Sequence, residues 1–262
     1  MTHRSRAVVP RIVPVEDLLD NLDDYTVLDV RRLVEYKAGH IPKALPCSFS
    51  NFIKLVGLAL YPADVEKIAA FLAELGVGDD SRLVIYDSFY GRHAARTAYT
   101  LELLGFHDIG LLETTYDEYV KRKHPTSVDN PRPKPKTPLP LNYDGSMLVD
   151  RENIAKTIAN WDGESAIVDT RAQSDYSFGH IPNSINMPWH LFHKVDGLFN
   201  LEAVRKSAAE KNLGVARRIV FYCEEGTSSS FTMYAFRRAG FLNTHTYLAS
   251  YPDWVCRLNT TK

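Results

Sequence analysis

The sequence predicts an α/β protein built as two similar domains, each a mostly parallel sheet flanked by helices. Three observations carry this. Short apolar runs alternate with amphipathic segments, the alternation occurs twice at a nearly constant offset, and a proline-rich stretch separates the two copies.

In the first copy, "TVLDV" (26–30) is a short run rich in β-branched residues and predicts a strand. "YPADVEKIAAFLAELG" (61–76) repeats apolar residues at three- and four-residue steps, which predicts a helix ended by Gly76. "RLVIYD" (82–87) is the next strand and "RHAARTAYTLELLG" (92–105) the next helix. "IGLLE" (109–113) then reads as a strand, followed by a short helix around "YDEYVKR" (116–122). The second copy follows the same order with "AIVDT" (166–170), "LEAVRKSAAEKNLG" (201–214), "RIVFYC" (218–223), "SSFTMYAFRRAG" (229–240) and "THTYLA" (244–249).

The copies align residue by residue. At an offset of 140, Asp29, Arg31, Tyr36 and Gly39-His40-Ile41-Pro42 recur as Asp169, Arg171, Tyr176 and Gly179-His180-Ile181-Pro182. The offset is 136 between Asp87 and Cys223 and 135 between Gly105 and Gly240, so the first copy's loop is one residue longer. A period this long means a duplicated domain, not a solenoid. Five prolines between 131 and 140 block both helix and central strand and predict a stiff, extended connection. The division expected is therefore 1–123, a linker at 124–145, and 146–262.

Composition narrows the function. A formal net charge of −1 gives no electrostatic case for nucleic acid or an acidic membrane surface, and no apolar run reaches the ~18 residues of a membrane span. Cys47, Cys223 and Cys256 are an odd, scattered set without a C-x-x-C pair, which argues against a disulfide framework and a cysteine zinc site and suits a reducing cytoplasm. The basic start "MTHRSRAVVPRIVP" lacks a signal-peptide core, and Pro10 and Pro14 interrupt any presequence helix.

Cys223 ends a predicted strand and is followed by "EEGTSS" and a helix. In such a fold, ligands sit beyond the carboxyl ends of strands. A strand-to-helix turn of this length curls its amides inward, and with the helix N-terminus it forms an anion-binding concavity that favours a thiolate. Gly226 tolerates the positive φ of the curl, and the hydroxyls of Thr227 and Ser228 are the expected partners of a negative sulfur. Glu224 and Glu225 oppose it, because carboxylates disfavour a nearby thiolate. Phosphate-ester hydrolysis requires an arginine six residues after the cysteine, and that position is Ser229. Sulfur transfer needs only donors around a persulfide: thiolate attacks the outer sulfur of a donor and passes it to an acceptor.

With "LDVR…GHIP", "VDTR…GHIPNSINMPW", "IVFYCEEGTSSS" and "SYPDW" in order, the chain resembles the tandem-domain rhodanese family of thiosulfate and 3-mercaptopyruvate sulfurtransferases over nearly its whole length. The resemblance implies two rhodanese-like domains with one active site at their cleft. Cys223 would be its persulfide-forming residue, inside a loop of Glu224, Glu225, Gly226, Thr227, Ser228 and Ser229. It implies an inactive first domain in which Asp87 replaces the cysteine, and no metal or organic cofactor. The partners implied are a small sulfur donor with a thiol or cyanide acceptor, or a sulfur-relay protein that loads Cys223 as a carrier.

The loop departs from both subfamilies. Glu224 and Asp175 stand where cations are common, and each reversed charge within ~6 Å of a dianion costs on the order of a few kcal/mol. Family alignment offers Arg32, Arg92 and His93, with Arg171, as donor-binding residues. Cys47 and Cys256 read as packing residues, and His40 and His180, present in both copies, as structural imidazoles. Trp189, His190 and His193 belong either to the cleft or to the core.

Overall fold

The computed structural model describes residues 8–137, 148–160 and 164–256. The first domain runs β1 (Arg11–Val13), α1 (Val15–Asp20), β2 (Thr26–Asp29), α2 (Leu33–Ala38), β3 (Leu45–Pro46), a hairpin of β4 (Ile53–Val56) and β5 (Ala59–Pro62), α3 (Val65–Glu74), β6 (Leu83–Tyr86), α4 (Arg92–Leu103), β7 (Ile109–Leu112) and α5 (Tyr116–Lys121). The second runs α6 (Arg151–Ala159), β8 (Ser165–Asp169), α7 (Gln173–Phe178), β9 (Ile185–Asn186), β10 (His193–Lys194), β11 (Leu198–Phe199), α8 (Leu201–Glu210), β12 (Arg218–Tyr222), α9 (Thr227–Arg238), β13 (Thr244–Thr246) and α10 (Ser250–Cys256).

The two main sheets have the orders β1-β7-β6-β2-β3 and β13-β12-β8-β9, and every pairing in them is parallel. β6 is buried at every residue, as the continuous apolar run of a two-sided parallel strand demands. Between the domains, α4 and α9 pack on each other, so a single apolar core runs from Ala95, Ala98 and Leu101 to Phe231, Met233 and Ala235. Within it, Arg237 meets Glu102 at 2.7 Å with both side chains almost fully buried, and Tyr234 donates to the same carboxylate at 2.9 Å. Removing either partner of such a pair would leave the other charge buried and uncompensated.

Two expectations need correction. The helix expected from Tyr61 begins at Val65, because Pro62 keeps the preceding residue extended and 59–62 pair with β4 instead. α9 begins at Thr227, not at Ser229, so Ser228 and Ser229 are helical and the loop shrinks to Glu224, Glu225 and Gly226. The first-domain hairpin is missing from the sequence reading altogether.

Residues 124–137 contact the first domain at both ends of the segment. Ser127 exchanges two backbone bonds with His40, and the Lys136 N–H donates to the carbonyl of Ala73 at 2.9 Å. The last part of the expected linker, 138–145, falls outside the described residues. No described helix is long and apolar enough to cross a membrane.

Candidate active site

Each domain braces its site with the same buried unit. Arg171 grips Asp169 through Nε at 3.1 Å and Nη2 at 2.6 Å, reaches the Gly179 carbonyl at 2.7 Å, and lies over the Tyr251 ring at 3.9 Å. Arg31 does the same with Asp29, Gly39 and Tyr116. His40 and His180 present Nδ1 to the carbonyls of Tyr36 and Tyr176 at 2.9 and 2.8 Å and stack on those rings, the structural role read from the sequence.

β12 delivers Cys223 to the floor of a concavity of about 320 Å³ lined by Arg92, Arg171, Asp175, Trp189 and the loop itself. The side chain is only 1 % exposed. Gly226, at φ +76°, turns its N–H onto the sulfur at 3.0 Å. The Ser229 hydroxyl approaches at 3.5 Å and that of Ser250 at 3.9 Å. Ser250 also accepts the Cys223 N–H at 3.2 Å and donates to the Tyr247 carbonyl at 2.8 Å. It sits at φ +60°, a conformation rare outside glycine and asparagine, held in place by these bonds.

Several expected roles move. Thr227 turns its hydroxyl to Glu225 at 3.2 Å and Ser228 accepts from Thr170 at 3.3 Å, so neither hydroxyl bonds the Cys223 thiol itself, although both residues line the concavity above it. The helical start at Thr227 rotates Ser229 inward in their place. Ser250 was not singled out from the sequence. Its one signal was membership of the "SYPDW" segment, which identifies a corner without showing which atom faces the cysteine.

Arg92 joins the domains, its guanidinium lying between the rings of Phe89 (3.7 Å) and Trp189 (4.3 Å). Burial pulls it below the usual arginine value, and the Cys223 sulfur is foremost among the groups that oppose this. Arg32 and His93, expected beside it, line a neighbouring cleft with Phe49 and Phe89. Arg32 is exposed and tied to Glu35 at 2.8 Å; His93 stacks on Phe49 at 4.4 Å, and its burial lowers its pKa and favours the neutral ring. His93 leaves the Cys223 site because α4 turns successive side chains by about 100°, which sets Arg92 in the concavity and His93 in the neighbouring cleft; Arg32, at the start of α2, lines that same cleft. Trp189 lines the site, whereas His193 faces Tyr90 in a separate groove.

At the rim, Glu224 lies 3.9 Å from Arg171. Partial burial raises its carboxyl, Arg171 opposes that, and Asp175 adds to it. Cys47 is fully buried in the first domain, where burial pushes its thiol far up; Cys256 ends α10. Among the described residues, no cluster of His, Cys, Asp or Glu is placed to hold a metal.

At the matching corner of the first domain, a carboxylate fills the same curl. Asp87 accepts the N–H groups of Phe89 and Gly91 at 2.8 Å each and of Ala94 at 2.9 Å.

The sequence profile of the Rhodanese-like domain matches residues 14–122 and again 154–256. The chain belongs to the rhodanese-like domain family. Among rhodanese relatives, the thiosulfate sulfurtransferase of Cricetulus griseus is 24% identical over 243 residues, covering 84% of this chain and 78% of its own. That of Pseudomonas aeruginosa is 24% identical over 264 residues, covering 94% of each. The 3-mercaptopyruvate sulfotransferase of Escherichia coli superposes with a TM-score of 0.82 at 19% identity, over 92% of this chain and 99% of its own. At that identity the superposition speaks for the rhodanese fold alone.

Proposed function

We propose that the protein is a sulfurtransferase in which Cys223 carries sulfane sulfur. The observation that supports this most is the Cys223 sulfur itself, set on the Gly226 N–H at the floor of a concavity that opens between the domains. Its thiolate attacks the outer sulfur of a donor such as thiosulfate. The donor's S–S bond breaks and sulfite leaves with the electron pair. The product is a persulfide anion whose terminal sulfur stands about 2 Å further into the concavity. α9 begins beside it, and the N–H groups that open a helix are suitable donors for that anion. Cyanide or a thiol then attacks that sulfur, the new S–S bond breaks, and the thiolate returns. No net oxidation occurs and no cofactor is needed.

In this reading the second domain, 146–262, is catalytic, and the first, 1–123, carries Asp87 in place of a nucleophile. Arg92 faces the donor's anionic end, because Arg171 is already committed to Asp169 and Gly179. Glu224 and Asp175 on the rim disfavour a dianion, which supports 3-mercaptopyruvate, a monoanion, as a second donor. A carrier role, with Cys223 loaded by a partner protein, is the remaining alternative. The free cysteines suit a reducing compartment, and we place the protein in the cytoplasm.

Incubation with thiosulfate, with mercaptopyruvate or with a cysteine desulfurase should add about 32 Da to the Cys223 peptide, read by mass spectrometry. Cys223→Ser should remove the label. A wild-type peptide unlabelled by all three ends the proposal, and labelling by the desulfurase alone identifies a carrier.

A further inference from the structure

Arg96, on α4 of the first domain, is fully buried. It spends its guanidinium on backbone oxygens that belong mostly to the other domain. Nη1 donates to the carbonyls of Glu225 and Leu248, each at 2.8 Å, and Nη2 to that of Leu60 at 3.0 Å. Among the described residues no carboxylate pairs with it, and its Nε lacks a hydrogen-bond partner. A buried guanidinium served only by neutral carbonyls is a costly choice for a packing residue.

The carbonyl of Glu225 and the N–H of Gly226 are two ends of one peptide group. A trans peptide points them in opposite directions. The Glu225 oxygen takes the Arg96 N–H, and the Gly226 N–H at the far end touches the Cys223 sulfur at 3.0 Å. Arg96 therefore holds that plane in the orientation that serves the sulfur. Its positive charge also polarises the amide, and chained hydrogen bonds strengthen one another. A hydrogen bond to the charged form of a thiol favours that form.

The remaining contacts agree. Leu248 lies two residues before Ser250, whose hydroxyl also approaches the sulfur, and Leu60 lies in the β4–β5 hairpin. One side chain thus ties together the loop, the corner before α10 and a first-domain hairpin. Gly226 fits the arrangement doubly: its φ of +76° and the guanidinium lying where a Cβ would stand both exclude a side chain. Burial pulls the Arg96 pKa down to about 10, and the two groups that oppose this are the Cys223 sulfur and Glu225. At the helix offset of 135, the counterpart of Arg96 is Phe231, which packs on Trp189 and Phe199. The device is one-sided, as is the cysteine.

We propose that Arg96 is a positioning residue for the Cys223 thiolate, acting through the Glu225–Gly226 peptide, so that the domain without a nucleophile sets the reactivity of the nucleophile in the other. This rests on the reading of Cys223 as the sulfur carrier, but its test does not require turnover.

The rate of Cys223 alkylation by iodoacetamide, read on its own peptide against pH, should fall about tenfold at neutral pH in R96K and R96A. The midpoint of the profile should rise by about one pH unit. In transfer assays kcat should fall by a similar factor, with donor KM within about twofold. R96K keeps charge and stem, so it supplies the reading if R96A does not fold. Alkylation profiles that superimpose on that of the wild type, in variants shown folded by circular dichroism, overturn the proposal even if their melting temperatures drop. Should wild-type Cys223 accept no sulfur from any donor, the sulfurtransferase reading fails, and the alkylation profile still decides the role of Arg96.

Discussion

The corners at Asp87 and Cys223 are corresponding turns between a buried parallel strand and a long helix, one residue longer at Asp87 and filled by different acceptors. Two carboxylate oxygens at Asp87 take three amide N–H groups within 2.9 Å, and the curl is closed. At Cys223 a single sulfur takes one N–H at 3.0 Å, with two serine hydroxyls further off, and the concavity above stays open between the domains. An anion-binding turn becomes rigid support when a bidentate group saturates it. It becomes reactive when one polarisable atom leaves donors for an incoming charge. On the proposed function, the same duplication yields a corner that holds the fold and a corner that does chemistry.

Five substitutions break or sharpen this contrast. Cys223→Ser should bring sulfur transfer to background while shifting stability by no more than about 1 kcal/mol, since the sulfur makes only one amide bond. Asp87→Asn should do the reverse. Placing an amide NH2 against donated N–H groups should lower the unfolding free energy by about 2–4 kcal/mol in urea titrations. Arg92→Ala should raise donor KM about tenfold by removing a charge-assisted contact. Arg32→Ala, in the neighbouring cleft, should leave it within about twofold, and equal effects from the two would erase the distinction between the clefts. Ser250→Ala should be mildest, lowering kcat about threefold, because its hydroxyl stands 3.9 Å from the sulfur. A loss as large as that of Cys223→Ser would make Ser250 a principal donor.

Legibility follows locality. The central strands β2, β6, β8 and β12 stand out as apolar runs because both faces of a parallel sheet are covered. α7 was missed because none of its six residues is buried, leaving no periodicity to detect. β3 and β9, at two residues each, are too short to carry a pattern. Cys223 was legible from a strand end followed by Gly226 and a helix. Arg32 misled because alignment identifies a loop but not the side of the seam it faces. Arg96 was not singled out within "RHAARTAYTLELLG", because its burial depends on the packing of α4 against α9.

By itself the sequence determined the duplication, the alternation of strands and helices, the recurring Asp and Arg positions and the cysteine at a strand-to-helix turn, all written in neighbouring residues. Tertiary structure alone decided which atoms surround that cysteine: Ser250 from 27 residues away and Arg96 bonded to a residue 129 positions away. The reason is physical. Periodicity and turn chemistry depend on short-range sterics and solvent contrast, whereas a donor's position at the sulfur depends on how two separately folded surfaces meet.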